Sequence, residues 1–157
     1  MKIVFLTIGK TVNSHLIALQ GDYQERIKHY NSFEYVCLPE IKNTKSRSEN
    51  EQKELEADVF MKYFDANDLV VLLDEYGKQL SSVQFADFLY KNLLGHHKRL
   101  IFVVGGPYGF SKRIYDRSNA MLSLSAMTFS HQMVRTIFVE QLYRAFTIQK
   151  GEPYHHQ

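Results

Sequence analysis

The sequence predicts an α/β protein with a mostly parallel sheet and helices on both of its faces. Three observations carry that expectation. Two apolar runs, Leu69-Val70-Val71-Leu72-Leu73 and Leu100-Ile101-Phe102-Val103-Val104, have no polar interruption, as expected for strands covered on both sides. Segments with helical spacing of apolar residues alternate with the strand-like runs, and such alternation builds parallel sheets. Near the end of the chain, Ala120 to Ser125 passes through the small-residue turn Ala126 to Ser130 straight into a long helical stretch from His131. In α/β proteins such a junction lies at the carboxyl end of a strand, where free backbone N–H and C=O groups hold polar small molecules.

The elements follow in order. Lys2 to Ile8 is rich in β-branched and aromatic residues and ends at Gly9, which marks strand one. Leu16, Leu19, Tyr23, Ile27 and Tyr30 recur at helical spacing over Ser14 to Tyr30. Phe33 to Leu38 is strand two, stopped by Pro39, and the polar basic stretch Lys42 to Arg47 connects it onward. Ser48 and Glu51 have the spacing of a capping box and open a helix to about Phe64. Asp68 to Asp74 is a strand expected to be central, broken by Gly77 and Lys78. A helix begins at Ser81 or Ser82, with Val83, Phe85, Phe88, Leu89 and Leu93 on its apolar face. Arg99 to Val104 is the next strand, Ser111 to Arg117 a short helix, and Ala120 to Ser125 the last strand. The final helix, about His131 to Gln149, has a stripe of Val134, Ile137, Phe138, Leu142 and Phe146. Met133, Val139 and Tyr143 add more apolar surface than one stripe requires. A fully buried helix and a helix shared with another subunit explain that surplus equally well.

A chain of 157 residues fits one domain, here residues 1–157, large enough for a real core. Hydrophobic residues at 45% and charged residues at 23% exclude a disordered or fibrous chain. A formal net charge of +2 permits a nucleic-acid partner without demanding one. Cys37 is the single cysteine and sits in an apolar run, so an internal disulfide and a cysteine-rich zinc site are excluded and a buried thiol is expected. The apolar start is short and followed by Lys10 instead of a cleavage site. No apolar stretch has the length to cross a bilayer, so a soluble, cytoplasmic protein is expected.

Parallel strands point their carboxyl ends the same way, so the turns after Leu73, Val104 and Ser125 share one edge of the sheet. Gly105, Gly106 and Gly109 let a ligand approach the backbone, and Leu124, Met127 and Phe129 supply an apolar wall for a flat ring. Together they describe a pocket for a nucleoside-like molecule. Pro107 stands where the dinucleotide fingerprint needs a glycine, and no Gly-Lys-Ser/Thr ending follows, which disfavours NAD and ATP. His96 and His97 lie beside Lys98 and Arg99 with no third ligand nearby, so they read as a solvated loop and no metal site is expected. Asp74 and Glu75 are adjacent, and on a strand they point to opposite faces. His131, Arg135 and Arg144 share the final helix, and the tail Lys150 to Gln157 is aromatic and histidine-rich, where tails are usually polar and frayed.

The blocks Leu73-Asp74-Glu75-Tyr76-Gly77-Lys78, Val104-Gly105-Gly106-Pro107-Tyr108-Gly109, Leu122 to Arg135, Glu140-Gln141-Leu142-Tyr143-Arg144-Ala145 and Pro153-Tyr154-His155 resemble, in order and spacing, the RlmH-type family of SPOUT methyltransferases. The resemblance implies an α/β-knot with a C-terminal trefoil knot, a homodimer, and methylation of N3 of a pseudouridine in 23S rRNA of the ribosome, with S-adenosylmethionine as methyl donor. By motif match, the cofactor site comprises Leu73, Gly105, Leu124, Ser125, Ala126, Met127, Thr128 and Phe129. The family commonly has proline where this chain has Ser130, and serine is a good helix N-cap. Methyl transfer is an in-line displacement governed by alignment and needs no metal. The weakly acidic N3–H must lose its proton. Tyr154 or His155, folded over the pocket, is expected to take part in that step, with Arg135 and Arg144 on phosphate or developing charge. The alternative for the arginines is surface pairing, such as Glu140 with Arg144. Lys42, Lys45 and Arg47 are candidates for rRNA phosphates, against a merely solvated loop. Two rivals remain: an RNA-binding α/β-knot module without catalysis, which would fail to bind S-adenosylmethionine, and an unrelated nucleotide-binding enzyme, which would prefer a phosphorylated nucleotide.

Overall fold

The structure, a computed structural model, describes residues 1–156. The elements are β1 (Lys2–Ile8), α1 (Ser14–Lys28), β2 (Phe33–Leu38), α2 (Glu49–Tyr63), β3 (Leu69–Gln79), α3 (Ser82–Leu93), β4 (Arg99–Val104), α4 (Lys112–Arg117), β5 (Ala120–Ser123) and α5 (His131–Lys150). The five strands form one sheet in the order β2-β1-β4-β3-β5, and every pair is parallel. β3 is paired on both sides, as its uninterrupted apolar run requires.

Alternation along the strands divides the core in two. Ile3, Phe5, Val71, Leu100 and Phe102 face α1, α3 and α5, whereas Val4, Leu6, Val70, Leu72, Ile101 and Val103 face α2 and α4. Phe138 of α5 seals the first layer, with its ring 4.6 Å from Phe5 and 4.8 Å from Phe102. The expected capping box of Ser48 with Glu51 opens α2, and a second, Ser81 with Gln84, fixes the start of α3. Ser130 caps α5 by accepting from Met133 N–H at 3.2 Å, so the helix starts there without a proline. Of the surplus apolar residues of α5, Val139 is completely buried within its own chain and Tyr143 partly so. Met133 remains 41% exposed.

Three local expectations are corrected. Gly77 does not end β3; the strand runs on to Gln79, with an irregularity in its pairing to β5 between Leu73 and Lys78. A Cβ on Gly77 would lie 2.7 Å from Leu122 Cα, so glycine serves close backbone approach at a bulge and not as a breaker. β5 stops at Ser123, because Ser123 Oγ donates to Ser125 O and Met127 N–H to Ser125 Oγ, at 3.0 and 2.9 Å, closing a turn. Cys37 is exposed, not buried; it lies on the edge strand β2, and its thiol donates to Gly9 O at 2.9 Å. Among the described residues no helix is long and apolar enough to cross a membrane.

Candidate ligand-binding site

At the carboxyl edge of the sheet the ends of β3, β4 and β5 surround a cavity of about 380 Å³, within the usual range of about 300–1,000 Å³ for small-molecule sites. Its lining comes from all three turns and from the first turn of α5, at His131 and Val134. Leu73, Gly105, Leu124, Ser125, Ala126, Met127, Thr128 and Phe129, named from the sequence, all border it. They meet because parallel pairing aligns Leu73 with Val104 and with Leu122.

The turn after β4 is shaped from outside the cavity. Gly109 has φ +76°, and Gly109 N–H closes on Gly106 O at 3.2 Å. Glu56 of α2 is buried and accepts from Gln52 Nε2 at 3.0 Å and from Gly106 N–H. Burial pushes its carboxyl above the ordinary value, while those two hydrogen bonds pull the other way. A side chain on Gly106 would collide with that carboxylate, its Cβ 2.7 Å from Glu56 Cδ. The glycine stands out in the sequence; its partner, fifty residues earlier in the chain, carries no local signal.

The bulge of β3 also corrects the reading of Asp74 and Glu75. Both border the cavity, because irregular backbone after Leu73 abolishes the strict alternation of a flat strand. Asp74 Oδ2 accepts from Tyr115 Oη and Oδ1 from Tyr76 N–H, each at 2.9 Å. Burial, then the hydrogen bond to Asp74, pushes the Tyr115 phenol up to about 12, so it keeps its proton and donates at neutral pH. Among the described residues the two carboxylates are the only lysine, arginine, aspartate or glutamate side chains in the lining. Such a cavity repels phosphate and favours a cation.

Four residues expected at the chemistry lie elsewhere in the chain. Arg135 is 1% exposed and turned away from the cavity. Its Nη1 donates to Gly9 O at 2.8 Å and to Thr11 Oγ1 at 3.2 Å, and its Nη2 to Ile8 O at 2.7 Å. Its position on α5 aims it at the end of β1, where it ties helix to strand, so its expected role on phosphate is withdrawn. Arg144 pairs with Glu140, Nη2 to Oε1 at 2.5 Å, as the four-residue spacing allowed. The tail folds back on the same end of α5. Tyr154 Oη lies 3.1 Å from both Glu140 Oε1 and Tyr23 Oη, Arg144 sits 4.8 Å over the Tyr154 ring, and His155 Nδ1 is 3.4 Å from Arg144 Nη1. Burial and the hydrogen bond to Tyr23 hold the Tyr154 phenol above its ordinary value. His131 borders the cavity and Arg144 belongs to the tail cluster; along α5 they are separated by about 20 Å at 1.5 Å per residue. The tail therefore does not cover the cavity of its own chain. Among the described residues no group of three or more His, Cys, Asp or Glu side chains forms a metal cluster.

A family model described as "Predicted SPOUT methyltransferase" matches residues 1–155. A curated protein from Bacteroides fragilis, "Ribosomal RNA large subunit methyltransferase H", is 51% identical over 157 residues, covering 100% of both chains. Proteins with the same name from Christiangramia forsetii and Flavobacterium johnsoniae are 52% and 50% identical with the same coverage. Among solved structures, a probable methyltransferase from Bordetella pertussis Tohama I superposes with a TM-score of 0.56 at 12% identity, over 92% of this chain and 94% of that one. A probable methylase family protein from Haemophilus influenzae Rd KW20 gives 0.51 at 15% identity, over 99% and 70%. At such identities the two structures speak for the fold alone.

Proposed function

The chain belongs to the SPOUT methyltransferase family and is an S-adenosylmethionine-dependent rRNA methyltransferase; we propose that its target is N3 of a pseudouridine in 23S rRNA of the ribosome. The observation that carries this reading is the convergence of three strand-end turns on one ligand-sized cavity, bordered by every residue the motif match assigned to the cofactor.

The residues fit the donor. Leu124 and Phe129 give an apolar wall for adenine, the turn after β4 presents glycine backbone, and the carboxylates of Asp74 and Glu75 suit a cationic ligand. Bound there, S-adenosylmethionine supplies an electrophilic methyl carbon. The chain's part is to align that carbon with N3 and to take or direct the N3 proton.

The same reading makes the enzyme a homodimer in which the Arg144, Tyr154 and His155 cluster of one copy works at the cavity of the other. Support comes from the distance of about 20 Å along α5 and from exposed apolar surface at the start of that helix. Met133 is 41% exposed there and Val12 77%, and the Val12 segment is tied to the start of α5 because Val12 N–H and Asn13 N–H both donate to Gln132 Oε1. The reading further takes the chain as a single cytoplasmic domain with the family's trefoil knot. It assigns the exposed Lys42, Lys45 and Arg47 to rRNA phosphates. The test is transfer of labelled methyl from S-adenosylmethionine to ribosomes lacking this modification. Label at one pseudouridine N3 is expected; ribosome binding without transfer would leave an RNA-binding module in its place.

A further inference from the structure

We infer that Asp74, reinforced by Glu75, is the specificity residue by which the cavity distinguishes the charged methyl donor from its neutral, demethylated product. This deepens the cofactor reading above and rests on it. Transfer breaks the carbon–sulfur bond with its electron pair staying on sulfur, forms the N3–carbon bond, and releases the N3 proton to a base or to solvent. The donor's sulfur thus goes from positive to neutral while its shape changes by one methyl group. A wall of apolar side chains and backbone registers only the size of the methyl group and is indifferent to the charge on sulfur. A fixed negative charge registers the loss of positive charge directly.

The geometry supplies that fixed charge. Asp74 is half-buried at the cavity wall and is held from two sides, by Tyr115 Oη and by Tyr76 N–H. Tyr115 is itself braced edge-on against Phe110, with ring centroids 5.9 Å apart, and Phe110 also borders the cavity. The two donated hydrogen bonds fix the orientation of the carboxylate toward the cavity wall. Among the described residues no lysine or arginine lines the cavity to neutralise it. An electrostatic preference of this kind favours exchange of spent cofactor for fresh donor after each turnover.

The test measures dissociation constants of S-adenosylmethionine and S-adenosylhomocysteine for the full chain, unmodified and as Asp74→Asn, by calorimetry. Asn keeps the side chain's shape and one acceptor oxygen while removing the charge. The expected result is a loss of about tenfold in affinity for the donor with the product within about twofold, so that the ratio of the two collapses. A purely structural role at the bulge would weaken both ligands alike and would overturn the inference. If Asp74→Asn fails to fold, two measurements decide: Glu75→Gln should shift the ratio in the same direction by a smaller factor, and raising salt on the unmodified protein should weaken the donor more than the product. A ratio that neither moves would overturn the inference. If the unmodified protein binds neither ligand, the cofactor reading itself fails; if it binds both equally, only the charge role does.

Discussion

Replacing Gly106 with alanine places a methyl group 2.7 Å from Glu56 Cδ, a separation that no relaxed Cβ tolerates. Glu56 has little room to yield, being buried with Gln52 Nε2 at 3.0 Å on one oxygen. Overpacking costs about 1–3 kcal/mol, and pulling a carboxylate off a backbone N–H costs about 1.5–3 kcal/mol. The two overlap because one movement causes both, so about 3 kcal/mol is the expected loss. For a chain of this length each kcal/mol lowers Tm by about 2–4 °C, giving a fall of about 6–12 °C. Urea and thermal unfolding measure it, with S-adenosylmethionine affinity recorded in parallel because Gly106 borders the cavity. The decisive comparison is the double variant Gly106→Ala/Glu56→Ala, in which the obstructing carboxylate is gone and the new methyl occupies part of its space. It should be more stable than the sum of the single variants by at least about 1 kcal/mol. Additive losses, or a Gly106→Ala variant within about 0.5 kcal/mol of the unmodified protein, would refute the contact as the determinant of this turn.

Other outcomes follow from the same structure. Arg135→Met removes guanidinium hydrogen bonds to Ile8 O, Gly9 O and Thr11 Oγ1, each worth about 1.5–3 kcal/mol when charge-assisted, of which burial of the methionine side chain returns about 1.5–3 kcal/mol; a stability loss of about 3–5 kcal/mol by chemical denaturation is expected, and normal stability with abolished turnover would restore a role for Arg135 at the chemistry. Removing Tyr154 to Gln157 should abolish methyl transfer while donor affinity stays within about twofold, since the tail lies about 20 Å along α5 from its own cavity; retained turnover would take the tail out of the mechanism. Glu56 is held above the ordinary value of 4.5, chiefly by burial, so as pH rises past that value the unfolded chain gives up this proton before the folded one does. The Glu56 contribution to stability therefore falls as pH rises through the window up to the folded value. Glu56→Gln should gain stability relative to the unmodified protein across that window, and a difference independent of pH would contradict the assignment.

The architecture was readable where local chemistry and long-range packing ask for the same thing. Leu69 to Leu73 is apolar on both faces because both faces are covered, and Ser48 with Glu51 caps α2 within a single turn. The cavity was readable for a related reason, since parallel strands put the turns after Leu73, Val104 and Ser123 on one edge irrespective of detail. What escaped depended on partners distant in sequence. Arg135 carries the same charge whether it meets a phosphate or the carbonyls of Ile8 and Gly9, and only packing of α5 against β1 decides between them. Gly77 resembles a breaker until Leu122 is seen crossing it, and the bulge it permits brings Asp74 and Glu75 to the cavity. Cys37 lies in an apolar run, yet it occupies an edge strand. The tail's aromatic and histidine content did signal an ordered segment; its docking site on Tyr23, Glu140 and Arg144 came from the fold.

The most direct measurement is a crystal structure of the protein grown with saturating S-adenosylmethionine. The adenosyl group is expected between Gly105 and the Leu124 to Phe129 turn, with the sulfonium on the side of Asp74. Density for the donor at any other place, or a cavity that holds none, would contradict that placement.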